Sequence, residues 1–415
     1  METGRLEGLV VVVQVGDTVL LERGWGRLPG SELAAPDTLF RAEALVEPLV
    51  GWTAMHLAEA DSLSEESMLH QLLPGPFPEE SWAKRPVTVQ HLMNHTSGLI
   101  GWASSLPSDG KVTTESLVLR VAELGIESEP GSCFDYSESN GLVLGAIVEK
   151  VSGMSVANAV QARVLARLEL EDTGWTSDGP PKNTGDHGAA REFAGQLVDA
   201  PEGVHPFAED QFCSTTADLA ALLRALGQGK VVRKSTLEKM LTERTLNGGA
   251  PIGVGYGLNF ASIDEVDGFS IGGSAEGTTI HVAHYPESDV TIACLAAHPE
   301  AALIPLERDL TRLALGLALP GATNVLLPPE DAMKVKGRYQ VGCTTLEVSV
   351  QKDGTVVLAS ADAGERVLDY RGAFQFVAHS DGDVRFEFVV PEGGDHATVL
   401  RMNDHGRYSE AIRVP

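Results

Sequence analysis

The 415-residue sequence predicts a mixed α/β (α+β) fold in two parts, a large domain with one sheet and an inserted helical subdomain, then a small antiparallel β-barrel. Three observations carry this. Strand-like runs open the chain at LVVVVQVGDTVLLERGWG and return late at TTIHVAHYP and DVTIACLAA. The spacing of apolar residues between them is helical. Beyond PGATNVLLPPEDA the pattern changes to short strands set apart by Gly and Asp turns.

Taken in order, Gly16-Asp17 marks a hairpin between the first two strands. From Thr38 to about Ala60 the pattern is helical, and the Pro-rich PGPFPEESWAKRP follows. Further helices are expected near Gln90 to Asn94, Thr114 to Leu124, Gly141 to Val151, Val156 to Leu168 and Ala217 to Leu226. The two late strands flank a turn at Glu287 to Asp289, and AALIPLERDLTRLALGLAL reads as the last helix. The boundaries that follow are a domain over 1–320, a linker over 321–333 and about eight strands over 334–415. The chain is longer than one hydrophobic core usually supports, which agrees with two domains.

Composition narrows the function. Thirty-one Lys and Arg against 58 Asp and Glu give a formal charge of −27, which argues against nucleic acid or an anionic membrane as partner. A small-molecule ligand or substrate is the expected partner. The acids are spread along the chain, as on a solvated surface. Cys133, Cys213, Cys294 and Cys343 show no C-x-x-C pair and no framework spacing, so they are expected to be small buried residues in a reducing compartment. METGRLEGLVVVVQV leads directly into a strand and does not resemble a leader peptide, and no segment has the roughly 18 uninterrupted apolar residues of a span. A cytoplasmic location is expected.

Several blocks then carry a family resemblance. VTVQHLMNHTSGL resembles the "LLxHTSGL" signature of class C β-lactamase-like serine hydrolases. EPGSCFDYSESNGLVLGAIVEKVSG is similar to the block of that family that contains its Tyr-x-Asn motif, and LARLELEDTGW, CSTTADLAALLRAL, GVGYGLNF and IGGSAEGTTIHVAHYP continue in family order. The resemblance covers roughly residues 8 to 318 and implies a β-lactamase or penicillin-binding-protein-like antiparallel sheet flanked by helices, with the site in the cleft beside an all-helical subdomain. The C-terminal strands resemble the lipocalin-like domain that some members append.

The family's chemistry needs a serine activated by a lysine one turn along the helix, a polar second motif and a basic strand motif. Aligned on TLFRAEALVEP, this chain has Ala44 at the serine position and Glu47 at the lysine position. The second motif reads Tyr136-Ser137-Glu138, and Ile271 precedes Gly272 and Gly273 in the third. Alanine has no nucleophilic atom, so acyl-enzyme chemistry is not expected. What remains by resemblance is an oxyanion-binding pair of amides at Ala44 and near Ser274, with Gly272 and Gly273 in the wall. Tyr136, Glu47 and Glu138 are the candidate catalytic residues, with Glu43 entering the same cleft one helical turn before Glu47. Crowded carboxylates push at least one pKa upward, as a general acid or base near neutral pH requires.

Three functions stay open: a non-covalent acid/base enzyme (isomerase, lyase or cyclase) on a small carbonyl-bearing molecule, a non-catalytic pseudoenzyme acting as binding or scaffold protein, and a hydrolase or esterase with a relocated nucleophile. For the last, Ser137, Ser274, Cys213 and Cys133 are the candidates, none with a general base at fixed spacing. His91 and His95 have the i, i+4 spacing of helix-borne metal ligands, but lie inside the HTSGL block without a third ligand, so a structural role is expected. No cofactor or metal is expected.

Overall fold

The valine run that opens the chain is buried on both faces, and this defines the layers. Val10 and Val12 pack with the helices of one side, while Val11 and Val13 pack with Leu303 and its neighbours on the other, as the two-residue period of a strand requires. In the computed structural model residues 8–28, 33–102, 113–168, 170–175, 212–263, 265–275, 277–298, 301–319, 325, 327–360, 364–379, 381–391, 393–404 and 407–415 are described. The linker expected over 321–333 falls partly outside these residues.

The main sheet has six strands: β1 Gly8–Val15, β2 Thr18–Gly26, β6 Asn259–Ile263, β7 Val266–Ala275, β8 Thr278–Tyr285 and β9 Val290–Ala296, in the order β2-β1-β9-β8-β7-β6. Every neighbouring pair is antiparallel, and β1 against β9 joins the two ends of the domain. A small sheet of β3 Phe40–Arg41, β4 Gly174–Trp175 and β5 Phe212–Ser214 lies apart from it.

On one face lie α1 Val46–Glu59, α2 Leu69–Leu72, α3 Glu79–Trp82, α4 Val89–Met93, α5 Thr114–Leu124, α6 Glu138–Ser152, α7 Val156–Val160, α8 Thr216–Gly227 and α9 Lys234–Met240. α10 Leu303–Leu315 covers the other face, and its Leu303 joins the apolar cluster of β1, β8 and β9. The helix expected from Thr38 begins later, because Phe40 and Arg41 pair with Ser214 and Cys213 as strand and Glu43–Leu45 forms a 3-10 turn. The helix expected over Val156 to Leu168 breaks after Val160 into a π turn at Gln161–Leu165. Among the described residues no single helix is long and apolar enough to cross a membrane.

After α11 Pro329–Val335, eight strands close a barrel: β10 Gly337–Val341, β11 Thr344–Val350, β12 Val356–Ser360, β13 Gly364–Gly372, β14 Gln375–Ala378, β15 Asp381–Val389, β16 Val399–Asp404 and β17 Arg407–Val414. Closure of β10 on β17 leaves no free edge. The barrel has its own core around Tyr339, Phe376 and Phe388.

Among the described residues two links fasten it to the large domain. Arg308 Nε and Arg312 Nη1 of α10 each donate to Asp383 Oδ2 of β15 at 2.7 Å, all three side chains being buried. Burial works against the Asp383 anion, yet the two guanidinium donors outweigh it and hold the carboxyl at about 2. The second link corrects the expectation that the cysteines are unpaired: Cys133 and Cys343, 210 positions apart, form a disulfide with Cα atoms 5.7 Å apart. Spacing along the chain could not show this, because the partners come from different domains. Cys213 and Cys294 are free and buried.

Candidate active site

Ala44 begins the cleft. Its Cβ points at β7, where a side chain on Gly273 would come within 3.0 Å of it, so only glycine lets the strand approach this closely. Glu47 follows three residues later, at the first turn of α1, and lies in a niche on α6 that exists because residue 141 is glycine. A Cβ on Gly141 would stand 2.9 Å from the Glu47 carboxyl carbon.

The carboxylate has one hydrogen-bond donor and a histidine within ion-pair distance. Tyr136 Oη donates to Glu47 Oε2 at 2.8 Å, and His95 Nε2 lies 3.3 Å from Glu47 Oε1. The neighbours of His95 fix which nitrogen carries its proton. Ser97 Oγ donates to Asn140 Oδ1, so Asn140 Nδ2 faces His95 Nδ1 as a donor at 3.2 Å, and the Ser137 amide donates to the same nitrogen at 3.5 Å. Nδ1 is thus an acceptor, and the neutral ring presents Nε2–H to Glu47. The Tyr136 ring stacks on that of His95, with centroids 4.6 Å apart. His95 has a φ of 53°, left-handed backbone that histidine tolerates better than most residues.

Charge follows from this packing. Burial pushes Glu47 up to about 7; the Tyr136 hydrogen bond opposes this and the Glu138 charge adds to it. Burial pushes His95 down to about 4. Tyr136 is raised above the ordinary phenol range, first by burial and then by the Glu47 charge. Near neutral pH the cleft therefore holds a half-ionised carboxyl, a neutral imidazole and a phenol. They line a cavity of ≈ 350 Å³ with Ala44, Phe134, Ile271 and Gly272. Among the described residues its lining contains no lysine or arginine.

The expected set is thus only partly assembled here. Ala44, Glu47, Tyr136 and Gly272 line the cavity, and Gly273 backs Ala44. Glu43 does not join them. A 3-10 turn advances about 120° per residue, so positions 43 and 47 do not share the face that an α-helix would give them. Glu43 turns inward, 3.9 Å from Arg41, where burial raises its pKa. Glu138 also stays out of the lining: it is the exposed first residue of α6, with its carboxylate toward Gly101, and reaches Glu47 only through its charge. Ser274 points to the opposite face of β7 from Gly273, as adjacent strand residues must, and shares a hydrogen bond with Thr279 at 3.0 Å.

None of the candidate replacement nucleophiles is activated. Ser137 is the buried N-cap of α6, Cys133 is bonded to Cys343, and burial followed by the Glu43 charge pushes the Cys213 thiol up to about 12. His91 has the expected structural part, its Nδ1 accepting from the Thr88 amide at the start of α4. His95, expected to be structural, lines the cavity beside Glu47, a placement that sequence reasoning missed. The available signal was its place in a block that packs against the Tyr136 motif.

This arrangement, a cleft between an antiparallel sheet and an all-helical subdomain, is that of the β-lactamase and penicillin-binding-protein class. The β-lactamase family model matches residues 1–315, and the chain belongs to that family. Over 221 residues it is 32% identical to Esterase EstB of Burkholderia gladioli, a stretch taking in 48% of this chain and 56% of the esterase. Penicillin-binding protein 4* of Bacillus subtilis (strain 168) is 23% identical over 449 residues, covering 100% of this chain and 96% of that protein. The octameric penicillin-binding protein homologue from Pyrococcus abyssi superposes with a TM-score of 0.61 at 19% identity, over 98% of this chain and 96% of that one. That likeness is one of fold alone.

Proposed function

We propose that this β-lactamase-family chain has given up the serine-lysine nucleophile and carries out non-covalent acid/base chemistry on a small carbonyl-bearing molecule, as an isomerase, lyase or cyclase. One observation carries the reading: Glu47, at the lysine position, is held by Tyr136 and His95 in a cavity with its carboxyl poised at about 7. The step it supports is proton abstraction next to a carbonyl. The C–H bond breaks, the proton goes to Glu47, and the electron pair moves to the carbonyl oxygen, which the amides assigned by resemblance to Ala44 and the Ser274 region would receive. Return of the proton to another carbon, or loss of a leaving group, completes an isomerisation or an elimination.

The hydrolase names belong to the relatives. Ala44 and the four quiet candidates Ser137, Ser274, Cys133 and Cys213 weigh against covalent hydrolysis here. The cytoplasmic location expected from cysteine spacing loses that support, since a disulfide such as Cys133–Cys343 persists where thiols are not kept reduced.

The test is deuterium exchange into a panel of small cyclic ketones in D2O, followed by proton NMR with wild type and Glu47→Gln. Exchange by wild type alone supports the reading, and none by either favours the scaffold. Intact mass after fluorophosphonate or β-lactam treatment should show no adduct, and a stoichiometric adduct would restore the hydrolase.

A further inference from the structure

A second carboxylate and histidine meet on the opposite face of the sheet, where α10 and the barrel enclose a crevice of ≈ 550 Å³. Glu307 of α10 is buried and its carboxylate is fully engaged: Tyr285 Oη donates to Oε1 at 3.1 Å, Thr311 Oγ1 donates to Oε1 at 2.6 Å, and His281 Nε2 faces Oε2 at 3.4 Å. Facing an anion, Nε2 carries the proton, which leaves a lone pair on Nδ1. His281 is 8% exposed, and that nitrogen has no hydrogen-bond partner among the described residues. It looks out past Gly272, its partner across the β7–β8 ladder, where a Cβ would stand 3.3 Å away.

We propose that His281, oriented by Glu307, is the hydrogen-accepting centre of a second ligand site, and that this site takes a neutral, hydroxyl-bearing molecule. The occupant is one that offers a donor, because the Nδ1 lone pair has no partner among the described residues and opens on the crevice. A neutral molecule fits best, because the arginines of the wall are paired within the protein and its carboxylates already take donors, Asp381 from the Asp383 amide. Arg308 is paired with Asp383 at 2.7 Å, Arg366 with Asp404 at 3.5 Å, and Glu307 takes three donors. The rest of the wall, including Leu303, Ile304 and Pro305, suits an apolar body. If the hydroxyl proton is transferred, the O–H bond breaks as N–H forms at Nδ1, and the imidazolium is stabilised by Glu307 through Nε2.

Diethyl pyrocarbonate, which acylates an unprotonated accessible imidazole nitrogen, tests this on the full chain, with mass mapping of His281. Phenol and its methyl ether anisole serve as competitors that differ only in the donor. Phenol should slow modification of His281 roughly fivefold more than anisole, the effect one net hydrogen bond carries. Nitrogen-15 NMR of the wild type should show the proton on Nε2. Equal protection by the two competitors, an unreactive His281, or a proton on Nδ1 would overturn the proposal. Because both measurements use wild-type protein, they stand even if His281 variants do not fold.

Discussion

The molecule contains two carboxylate–histidine pairs, Glu47 with His95 and Glu307 with His281, built from the same side chains for opposite ends. In the cleft, the far nitrogen of His95 is occupied by Asn140 and Ser137, so the imidazole can only donate, and the carboxylate is left to take a proton. In the crevice, the carboxylate is saturated by Tyr285, Thr311 and His281, so the imidazole is left to accept. The role of such a pair is set by which member the surroundings have already satisfied, not by its composition.

The largest expected effect is at the cleft carboxylate. Glu47→Gln or Tyr136→Phe should lower ketone exchange by about 10²-fold or more, with thermal unfolding nearly unchanged since both replacements are close to isosteric. Neither should alter phenol protection of His281; loss of protection would mean that the two pairs are not separate.

Gly141→Ala tests whether position matters beyond identity. The added methyl overlaps the Glu47 carboxyl and should turn it away from Tyr136, lowering exchange roughly 10-fold, as small misplacements at a reacting centre do. The helix preference of alanine offsets part of the cost of that overlap, so stability should change by about 1 kcal/mol or less. Full exchange in this variant would show that Glu47 needs no fixed seat.

Asp383→Asn addresses the second pair alone. It leaves Arg308 and Arg312 buried without their anion, which should cost about 3–5 kcal/mol in calorimetry and loosen the barrel wall of the crevice. The difference between phenol and anisole at His281 should shrink, while ketone exchange at the cleft stays within about twofold of wild type, a margin far below the worth of a positioned base.

The smallest effect is in pH dependence. Exchange should rise with pH through about 7, because Glu47 must ionise to accept a proton. Stability runs the other way: the folded pKa lies above the ordinary value of 4.5, so the contribution of Glu47 is present below 4.5 and lost as pH rises through about 7.

The sequence determined the architecture. The period of the Val10–Val13 run, the late strands around Glu287 to Asp289 and the short strands beyond residue 334 identify their layers, because burial imposes the two-residue period of a strand locally. The family resemblance of its motif blocks also implied one cleft for Ala44, Glu47 and Tyr136, and these three do line one cavity. What only the tertiary structure decided is how these groups are oriented and paired. A 3-10 turn rotates Glu43 away from Glu47, a left-handed backbone turns His95 toward a carboxylate 48 positions earlier, and two domains bring Cys133 to Cys343. Gly272 uncovers His281 only because β7 and β8 pair in one register. Spacing reports which face a residue shares with its neighbours in the chain, whereas a hydrogen bond depends on atoms a few ångströms apart that packing brings together from distant segments.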